Sequence, residues 1–267
     1  MRPSASSAKR VVATGSNLLK RLLSGDKEVP YVLFRHRFDY SGSCDFASDF
    51  SGKYTLFPGS FNPLHFGHRQ LMNSAAGYLG ENHSLFFEIA ALHPDKGYVD
   101  EQEIVRRLHQ FYSTGGGNDD GEKAEAEDTP CSVIVSRASL YSDKAKTFPS
   151  STILIGADTM ARILNPKYYE GNSMGSVVAM LEQIRSFDVA FLVAGRASQE
   201  SGKEGVFLTG NDILEACVGQ AEDRKRISDL AVFQSMSEED FRADVSSTEL
   251  RRELRKCAGS GGSKPHL

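Results

Sequence analysis

Two histidines three positions apart, His65 and His68, follow a short turn of small and polar residues. An apolar run at residues 54–57 precedes the turn, and Gly59 and Ser60 would let a ligand approach its backbone. Apolar residues recur behind the histidines at helical spacing: Leu71, Met72, Ala75, Ala76 and Leu79. We therefore expect a strand, a glycine turn and a helix, with both imidazoles at the helix start. The unpaired N–H groups and the positive end of the helix dipole favour an anion there, so the segment predicts a polyphosphate site.

A second candidate phosphate site lies near the carboxyl end of the chain. It consists of Ser246, Ser247 and Thr248, with Arg251 one helical turn further on. Hydroxyl and N–H groups at a helix start bind phosphate, and an arginine fork adds charge-assisted hydrogen bonds. A plainer interpretation also exists, because Ser246 and Glu249 are spaced as a capping box for a surface helix.

A third candidate site lies between these two. A buried-strand pattern at residues 151–155 is followed by Gly156 and Asp158, and then by apolar residues at helical spacing. Open α/β sheets hold ligands at the carboxyl ends of their strands, where such a glycine and carboxylate would lie. Asp158 could instead cap its own helix, or serve both roles.

The Gly-Ser-Phe-Asn-Pro sequence followed by His-x-Gly-His resembles the nucleotidylyltransferase superfamily, in which ATP or CTP lies over this motif. That superfamily closes its site with a Ser-Ser-Thr-x-x-Arg element, which this chain also contains. The resemblance implies that His65, His68 and Arg251 are catalytic. It implies nucleotide or phosphate binding by a larger set: Gly59, Ser60, Phe61, Asn62, Gly156, Asp158, Ser246, Ser247 and Thr248.

Within the superfamily, the chain looks like a divergent eukaryotic branch of the nicotinamide mononucleotide adenylyltransferases. These enzymes carry a similar Gly-Ala-Asp, a phosphate-facing lysine after the second strand, and an arginine on the next helix. Lys96 and either Arg106 or Arg107 match in position. Better-studied branches stack a tryptophan on the pyridine ring, but this chain has no tryptophan. The resemblance therefore assigns acceptor binding to Tyr168 or Tyr169, whose rings offer a π-face.

Composition restricts the class of protein. The 267 residues are long enough for one substantial core in one domain or two. A net charge of −4 argues against nonspecific binding to nucleic acid or to a membrane surface. The four cysteines are scattered, which is typical of free thiols in a reducing compartment and of neither a zinc site nor a disulfide framework. No apolar stretch is long enough to span a bilayer, and no secretory signal is evident.

Strand-like runs alternate with helical patterns along most of the chain. They occur at residues 54–57, 85–91, 132–136, 152–155, 189–193 and 230–233. One of the helices should begin at Asp100, with Glu103 in the capping-box position. Alternation of this kind predicts a parallel sheet with helices on both faces, the Rossmann-like α/β class.

Composition divides the chain into three segments. We assign residues 1–50 to an N-terminal extension, 51–256 to the nucleotidylyltransferase domain and 257–267 to a flexible tail. Residues 113–130 are glycine-rich and then acidic, which predicts a disordered insertion. The first twenty-five residues are basic and serine-rich, as in a mitochondrial transit peptide, but their leucines could equally form a helix docked on the domain. We favour a structured or semi-structured extension, and a cytoplasmic or nuclear location with a mitochondrial one left open.

The resemblance implies a specific reaction. The 5′-phosphate of a mononucleotide attacks the α-phosphorus of ATP and releases pyrophosphate, with Mg²⁺ entering alongside ATP. We assign no protein ligand to the metal, because no carboxylate cluster is evident. The partners are ATP and a mononucleotide, without nucleic acid or membrane, and a homo-oligomer stays open. Cytidylyltransferases and pantetheine-phosphate adenylyltransferases share these motifs and remain alternatives, as does a nucleotide-binding regulatory protein without turnover. Class I aminoacyl-tRNA synthetases are remote, because the chain lacks their length and their Lys-Met-Ser-Lys-Ser loop.

Overall fold

The computed structural model of the protein describes residues 15–35, 39–93, 97–112, 132–197 and 207–241. The strands are β1 (Tyr31–Arg35), β2 (Asp39–Ser43), β3 (Lys53–Pro58), β4 (His83–Ala90), β5 (Leu92–His93), β6 (Gly97–Tyr98), β7 (Ser132–Ser136), β8 (Ser151–Gly156), β9 (Ala190–Ala194), β10 (Arg196–Ala197), β11 (Phe207–Leu208) and β12 (Phe233–Ser235). The helices are α1 (15–23), α2 (Phe46–Asp49), α3 (Phe66–Leu79), α4 (Glu101–Tyr112), α5 (Tyr141–Thr147), α6 (Ala157–Ile163), α7 (Met174–Ser186), α8 (Gly210–Cys217) and α9 (Ala221–Asp229). Within these ranges, no helix is long and apolar enough to cross a membrane.

The main sheet has eight strands in the order β12-β9-β8-β3-β4-β7-β1-β2. The six strands from β12 to β7 are parallel, and β1 and β2 extend the sheet antiparallel at one edge. When the parallel strands are numbered along the chain from β3, their spatial order is 3-2-1-4-5-6, the Rossmann order. The order reverses between β3 and β8. Ligands of open α/β sheets bind at such a reversal, and the turns after β3 and β8 both lie there.

Helices cover both faces of the sheet, as the alternation of strands and helices predicts. Phe57, Phe87 and other residues on one face pack with α1, α3 and α4. Ile153 and Phe191 point to the other face and pack with α6, α7 and α8. Successive side chains of a strand alternate between faces, and both faces are apolar here because helices cover both. This explains why the central strands read as continuous apolar runs.

The chain ahead of residue 51 contributes to the same core. Tyr31, Val32 and Leu33 of β1 are buried, and β1 pairs with β7. Helix α1 packs Leu19 and Leu22 against the α3 side of the sheet. Residues 31–35 and 39–43, which we assigned to an N-terminal extension, therefore supply two strands of the main sheet.

Five of the six strands expected from the sequence are present within about two residues of the expected bounds. The sixth differs, because Leu230 ends α9 and Ala231 has a left-handed backbone with φ +51°. The strand β12 therefore begins only at Phe233. Residues 113–130, the expected disordered insertion, and residues 257–267, the expected tail, lie outside the described residues.

Candidate functional site

The turn after β3 is held in place by the next strand and by its own phenylalanine. The Gly59 N–H donates to the Glu88 carbonyl on β4 at 3.0 Å. Phe61 has a left-handed backbone, with φ +43°, and its ring is buried. A Cβ atom on Gly59 would lie 2.6 Å from Cζ of that ring. Glycine is therefore required at this position because Phe61 fills the space that a side chain would take, and ligand binding at Gly59 stays a prediction from the sequence.

Other members of the turn differ in exposure. Ser60 is exposed, and so is Asn62. The Phe61 ring lies in the core, so only its backbone could face a nucleotide. Gly67, within the first turn of α3, is buried.

The two histidines stack on each other at the start of α3. Their ring centroids are 3.6 Å apart and their planes differ by 29°. His65 is the N-cap residue, and its backbone N–H donates to Nδ1 of His68 at 3.3 Å. Because Nδ1 of His68 accepts this hydrogen bond, a neutral His68 ring carries its proton on Nε2. The ring can therefore present an N–H donor at its other nitrogen.

Aromatic side chains orient the His68 ring. Phe61 meets it edge to face, with centroids 5.1 Å apart, and Phe57 does so at 6.0 Å. Phe61 also packs against Phe87 and Phe111 from the neighbouring elements. Edge-to-face packing in a close-packed interior leaves a ring few alternative orientations. The phenylalanine of the motif thus positions the second histidine.

Helix α4 lies beside the turn and contacts it through polar side chains. Gln110 Nε2 donates to the Phe61 carbonyl at 3.0 Å, and Gln110 Oε1 accepts from the Leu64 N–H at 2.8 Å. The Asn62 amide donates to Glu103 at 3.2 Å and accepts from Arg106 at 2.7 Å. Gln110 was not among the site residues predicted from the sequence. Its position on the apolar-periodic helix after the second strand was the available signal.

Glu103 binds two arginines of its own helix. Arg106 and Arg107 each donate to it through Nε at 2.7 Å. The hydrogen bond from Arg106, followed by that from Arg107, lowers the pKa of Glu103 to about 2, so the carboxylate is charged at neutral pH. Asp100 caps the helix as expected, since its Oδ1 accepts from the Gln102 N–H at 2.8 Å. The Glu103 carboxylate, however, accepts hydrogen bonds from the two arginines and from Asn62. We expected it to accept one from the backbone N–H of the N-cap residue, as in a capping box.

The turn after β8 is open. Gly156 is the N-cap residue of α6, and a Cβ added to it would meet nothing within 4 Å. A ligand could therefore approach the backbone at Gly156 without a steric clash. The N-cap residue of α6 is Gly156, and Asp158 lies two positions further on in the first turn, so the simple capping interpretation is wrong.

Asp158 instead forms an ion pair across the site. Its Oδ1 lies 2.5 Å from Nη1 of Arg196, the first residue of β10, which is separated from β9 by Gly195 alone. Both side chains are more than half exposed. Glycine is required at position 195, between β9 and Arg196, because a Cβ there would clash with the Phe207 ring on β11. Arg196 was not among the site residues predicted from the sequence, although its position shortly after a buried parallel strand was a usable signal.

The two candidate acceptor tyrosines have different environments. Tyr169 is half-buried, its hydroxyl donates to the Ile163 carbonyl at 2.6 Å, and burial raises its pKa to about 12. Tyr168 is 58% exposed, and Nζ of Lys167 lies 4.9 Å from its ring centroid. Tyr168 is therefore the tyrosine with an accessible ring, and a cation already contacts that ring.

A buried ion pair supports the turn from the far face of the sheet. Nζ of Lys144 on α5 lies 2.7 Å from Oε2 of Glu88, and both side chains are almost fully buried. Lys144 also donates to the Ala138 carbonyl at 2.7 Å, and the Ser136 hydroxyl donates to Glu88 at 2.5 Å. Glu88 is also the residue whose carbonyl binds Gly59. This ion pair was not predicted from the sequence.

Five predicted site residues lie outside the described part of the chain. They are Lys96, Ser246, Ser247, Thr248 and Arg251. Their assignments stay predictions from the sequence.

The comparison with protein families agrees with the motif. A family model for cytidylyltransferase-like proteins matches residues 56–253, which is well over half of the chain. A search of curated proteins found no match. One similar solved structure is Plasmodium falciparum nicotinic acid mononucleotide adenylyltransferase complexed with NaAD. It is 14% identical, with a TM-score of 0.38, and the match covers 76% of this chain and 84% of that one.

The family match begins within β3 and continues past Arg251, so it includes all three candidate phosphate or nucleotide sites. The Rossmann strand order and the stacked histidines at its reversal point agree with that match. The chain therefore belongs to the cytidylyltransferase-like family of nucleotidyltransferases.

Proposed function

We propose that the protein is an ATP-dependent nicotinamide mononucleotide adenylyltransferase, which makes NAD and pyrophosphate. The observation that carries the proposal is the pairing of two sites at the reversal of strand order. One is the His65–His68 pair after β3, and the other is the open Gly156 backbone beside Asp158 after β8. A triphosphate on the first and a ribose on the second would place a nucleotide across the carboxyl edge of the sheet.

The reaction needs alignment more than it needs acid–base chemistry. The acceptor's phosphate oxygen is already anionic, so it can attack the α-phosphorus of ATP without a general base. The bond from that phosphorus to the bridging oxygen breaks, and pyrophosphate leaves with the electron pair. Catalysis then rests on holding both phosphates in line and stabilising the charge that develops on their oxygens.

His68 is the residue best placed to stabilise that charge. Its hydrogen bond from the His65 backbone leaves Nε2 as the donor nitrogen, and Phe61 holds the ring edge to face. The positive end of the α3 dipole adds to the favourable field. Ser246, Ser247, Thr248 and Arg251 would complete the phosphate site from the carboxyl end of the chain.

Arg106 could bind the triphosphate from the side of α4. Its guanidinium is half-exposed and already reaches Asn62 of the turn at 2.7 Å. Glu103 neutralises part of its charge in the absence of nucleotide. Phosphate oxygens would have to compete with that carboxylate, so Arg106 should contribute less to affinity than an unpaired arginine would. Lys96 remains a second candidate for this role.

Mg²⁺ would enter with ATP. The ion is usually held by substrate phosphates and water, with one or two carboxylates from the protein. The described residues contain no cluster of three metal-ligating side chains. The exposed carboxylate of Asp158 fits such a sparse donor set, either on the metal through water or on the ribose hydroxyls.

The acceptor half of the proposal depends on Tyr168. A pyridinium ring is flat and cationic, and an exposed tyrosine face attracts such a ring. The Lys167 ammonium near the same ring would oppose it, unless the two cations use opposite faces. Tyr169 is a weaker candidate, because it is half-buried and bonded to Ile163.

A panel of nucleotides and acceptors tests the assignment. The purified protein is incubated with Mg²⁺, with either ATP or CTP, and with nicotinamide mononucleotide, nicotinic acid mononucleotide or pantetheine phosphate, and pyrophosphate release is measured. We expect release with ATP and nicotinamide mononucleotide, and NAD as the product.

Two results would reject the assignment in different ways. Faster release with CTP or with pantetheine phosphate would favour the alternative transferases. The absence of turnover with every pair, combined with tight ATP binding, would favour a regulatory nucleotide-binding protein.

A further inference from the structure

Gln110, in the last turn of α4, joins both ends of the turn that leads into His65. Its Nε2 donates to the Phe61 carbonyl at 3.0 Å, and its Oε1 accepts from the Leu64 N–H at 2.8 Å. A glutamine amide holds a donor and an acceptor in one plane. The Gln110 side chain therefore donates to one backbone carbonyl of the turn and accepts from one backbone N–H. A neighbouring strand forms the same two kinds of hydrogen bond within a sheet.

We propose that Gln110 is a positioning residue for the nucleotide triphosphate, acting through residues 61–64 on His65 and on the backbone N–H groups of the turn. The inference rests on the proposed function, because it takes the triphosphate to be the ligand of this turn. Gln110 itself need not touch the nucleotide.

The turn requires such a support because part of it is strained. Phe61 has φ +43°, in the left-handed region that a phenylalanine rarely adopts. Strained residues persist only where the surroundings over-determine them. Burial of the Phe61 ring holds the side chain, and the bond to Gln110 holds the carbonyl of the same residue.

The second bond of Gln110 acts on the start of α3. Leu64, whose N–H it binds, directly precedes His65, the N-cap residue. Arg69, one turn into α3, donates to the backbone carbonyl of Gln110 at 3.3 Å. The end of α4 is thus hydrogen-bonded to the chain on both sides of the histidine pair, at Leu64 before it and at Arg69 after it. These two contacts fix the distance between the turn and the two imidazoles.

The test compares Gln110→Met with Gln102→Met. Methionine keeps the length of the side chain and removes both hydrogen bonds. Gln102 lies in the first turn of the same helix with an exposed side chain, so it is a matched control. We expect Gln110→Met to raise the dissociation constant for ATP by about ten- to one-hundredfold. This is the size of effect that the loss of two neutral hydrogen bonds would produce. The KM for the acceptor should stay unchanged, and Gln102→Met should behave as wild type.

Amide hydrogen exchange supplies a readout that does not depend on any ligand. Exchange of the Leu64 amide should be faster in Gln110→Met than in wild type and in Gln102→Met, with the centres of β3 and β4 equally protected in all three. Unchanged exchange at Leu64 would overturn the inference. Faster exchange with an unaltered ATP affinity would overturn it too, since Gln110 would then have only a structural role.

The proposed function can fail separately. If wild type binds no ATP, both the function and the triphosphate role of Gln110 are overturned, and the exchange result alone decides whether Gln110 shapes the turn. If Gln110→Met does not fold, Gln110→Glu replaces it. The glutamate keeps the acceptor for Leu64 and loses the donor to Phe61, so the Leu64 amide should stay protected while ATP binding weakens; wild-type ATP binding in this variant would contradict the inference.

Discussion

His65 and His68 form a stacked pair, with ring centroids 3.6 Å apart, at the first turn of the helix that faces the reversal of strand order. The backbone N–H of the first histidine binds the ring of the second. The two side chains therefore do not act independently, and a substitution of either one changes the packing and orientation of the other ring.

Replacing His68 with alanine should lower kcat by orders of magnitude without unfolding the protein. A preorganised donor on a developing oxyanion contributes about 2–4 kcal/mol of transition-state stabilisation. Single-turnover kinetics in saturating ATP would measure the loss. His83→Ala is the control, because His83 binds Thr55 at the opposite, amino-terminal end of β4. The double variant of His65 and His68 should lose little more than the single one, since residues that act as a unit are not additive.

Asp158 and Arg196 should be coupled in catalysis and hardly coupled in stability. Ion pairs this exposed contribute about 0–1 kcal/mol to folding. We expect a double-mutant cycle of Asp158→Asn and Arg196→Met to give a small coupling energy in urea unfolding. The same cycle in kcat/KM should give a clearly larger one, because both side chains emerge at the carboxyl ends of adjacent strands. Equal coupling in the two measurements would reduce the pair to a surface ion pair.

Tyr168 and Tyr169 should give opposite phenotypes. Tyr168→Ala should raise the KM for nicotinamide mononucleotide and leave the KM for ATP near its original value, because stacking on a cationic ring is worth about 0.5–2 kcal/mol. Tyr169→Phe removes only the hydrogen bond to Ile163, so it should cost about 1 kcal/mol of stability with little kinetic effect. If neither tyrosine affects the acceptor KM, the nicotinamide assignment loses its ring-binding residue.

Lys144→Met should be strongly destabilising. It leaves the Glu88 carboxylate buried with a serine hydroxyl and no neutralising cation, which typically costs about 3–5 kcal/mol. Urea unfolding monitored by circular dichroism would measure the change. Lys146→Met, an exposed lysine on the same helix, is the matched control. The double change Glu88→Gln with Lys144→Met should recover part of the loss, because no uncompensated charge then remains.

Arg251→Lys should be damaging, because a point charge does not replace a bidentate guanidinium on phosphate. Arg252→Lys is its control, since adjacent residues of a helix point to different faces. Both residues lie outside the described part of the chain, so the kinetics would test the motif alone. Equal losses in kcat/KM would leave the segment as a capped surface helix.

The central sheet was largely predictable from the sequence, because strands that are buried on both faces appear in it as short apolar runs between helical patterns. The edge strands were not. Residues 39–43 are polar and glycine-containing, and only pairing with β1 makes them a strand. The start of β12 was also misjudged, since Leu230 and Ala231 continue an apolar pattern while the backbone at Ala231 turns left-handed.

Motif spacing alone determined where His65, His68, Gly156 and Asp158 would lie, because local signals place each of them at a strand end or a helix start. Only the tertiary structure decided what each one contacts. The bond from Gln110 to Phe61 spans 49 positions of chain, and that from Arg196 to Asp158 spans 38. Contacts at such separation depend on strand order and on how α4 lies against the turn, and no local pattern encodes either. The structure also shows that the Phe61 ring fills the space that a side chain on Gly59 would take.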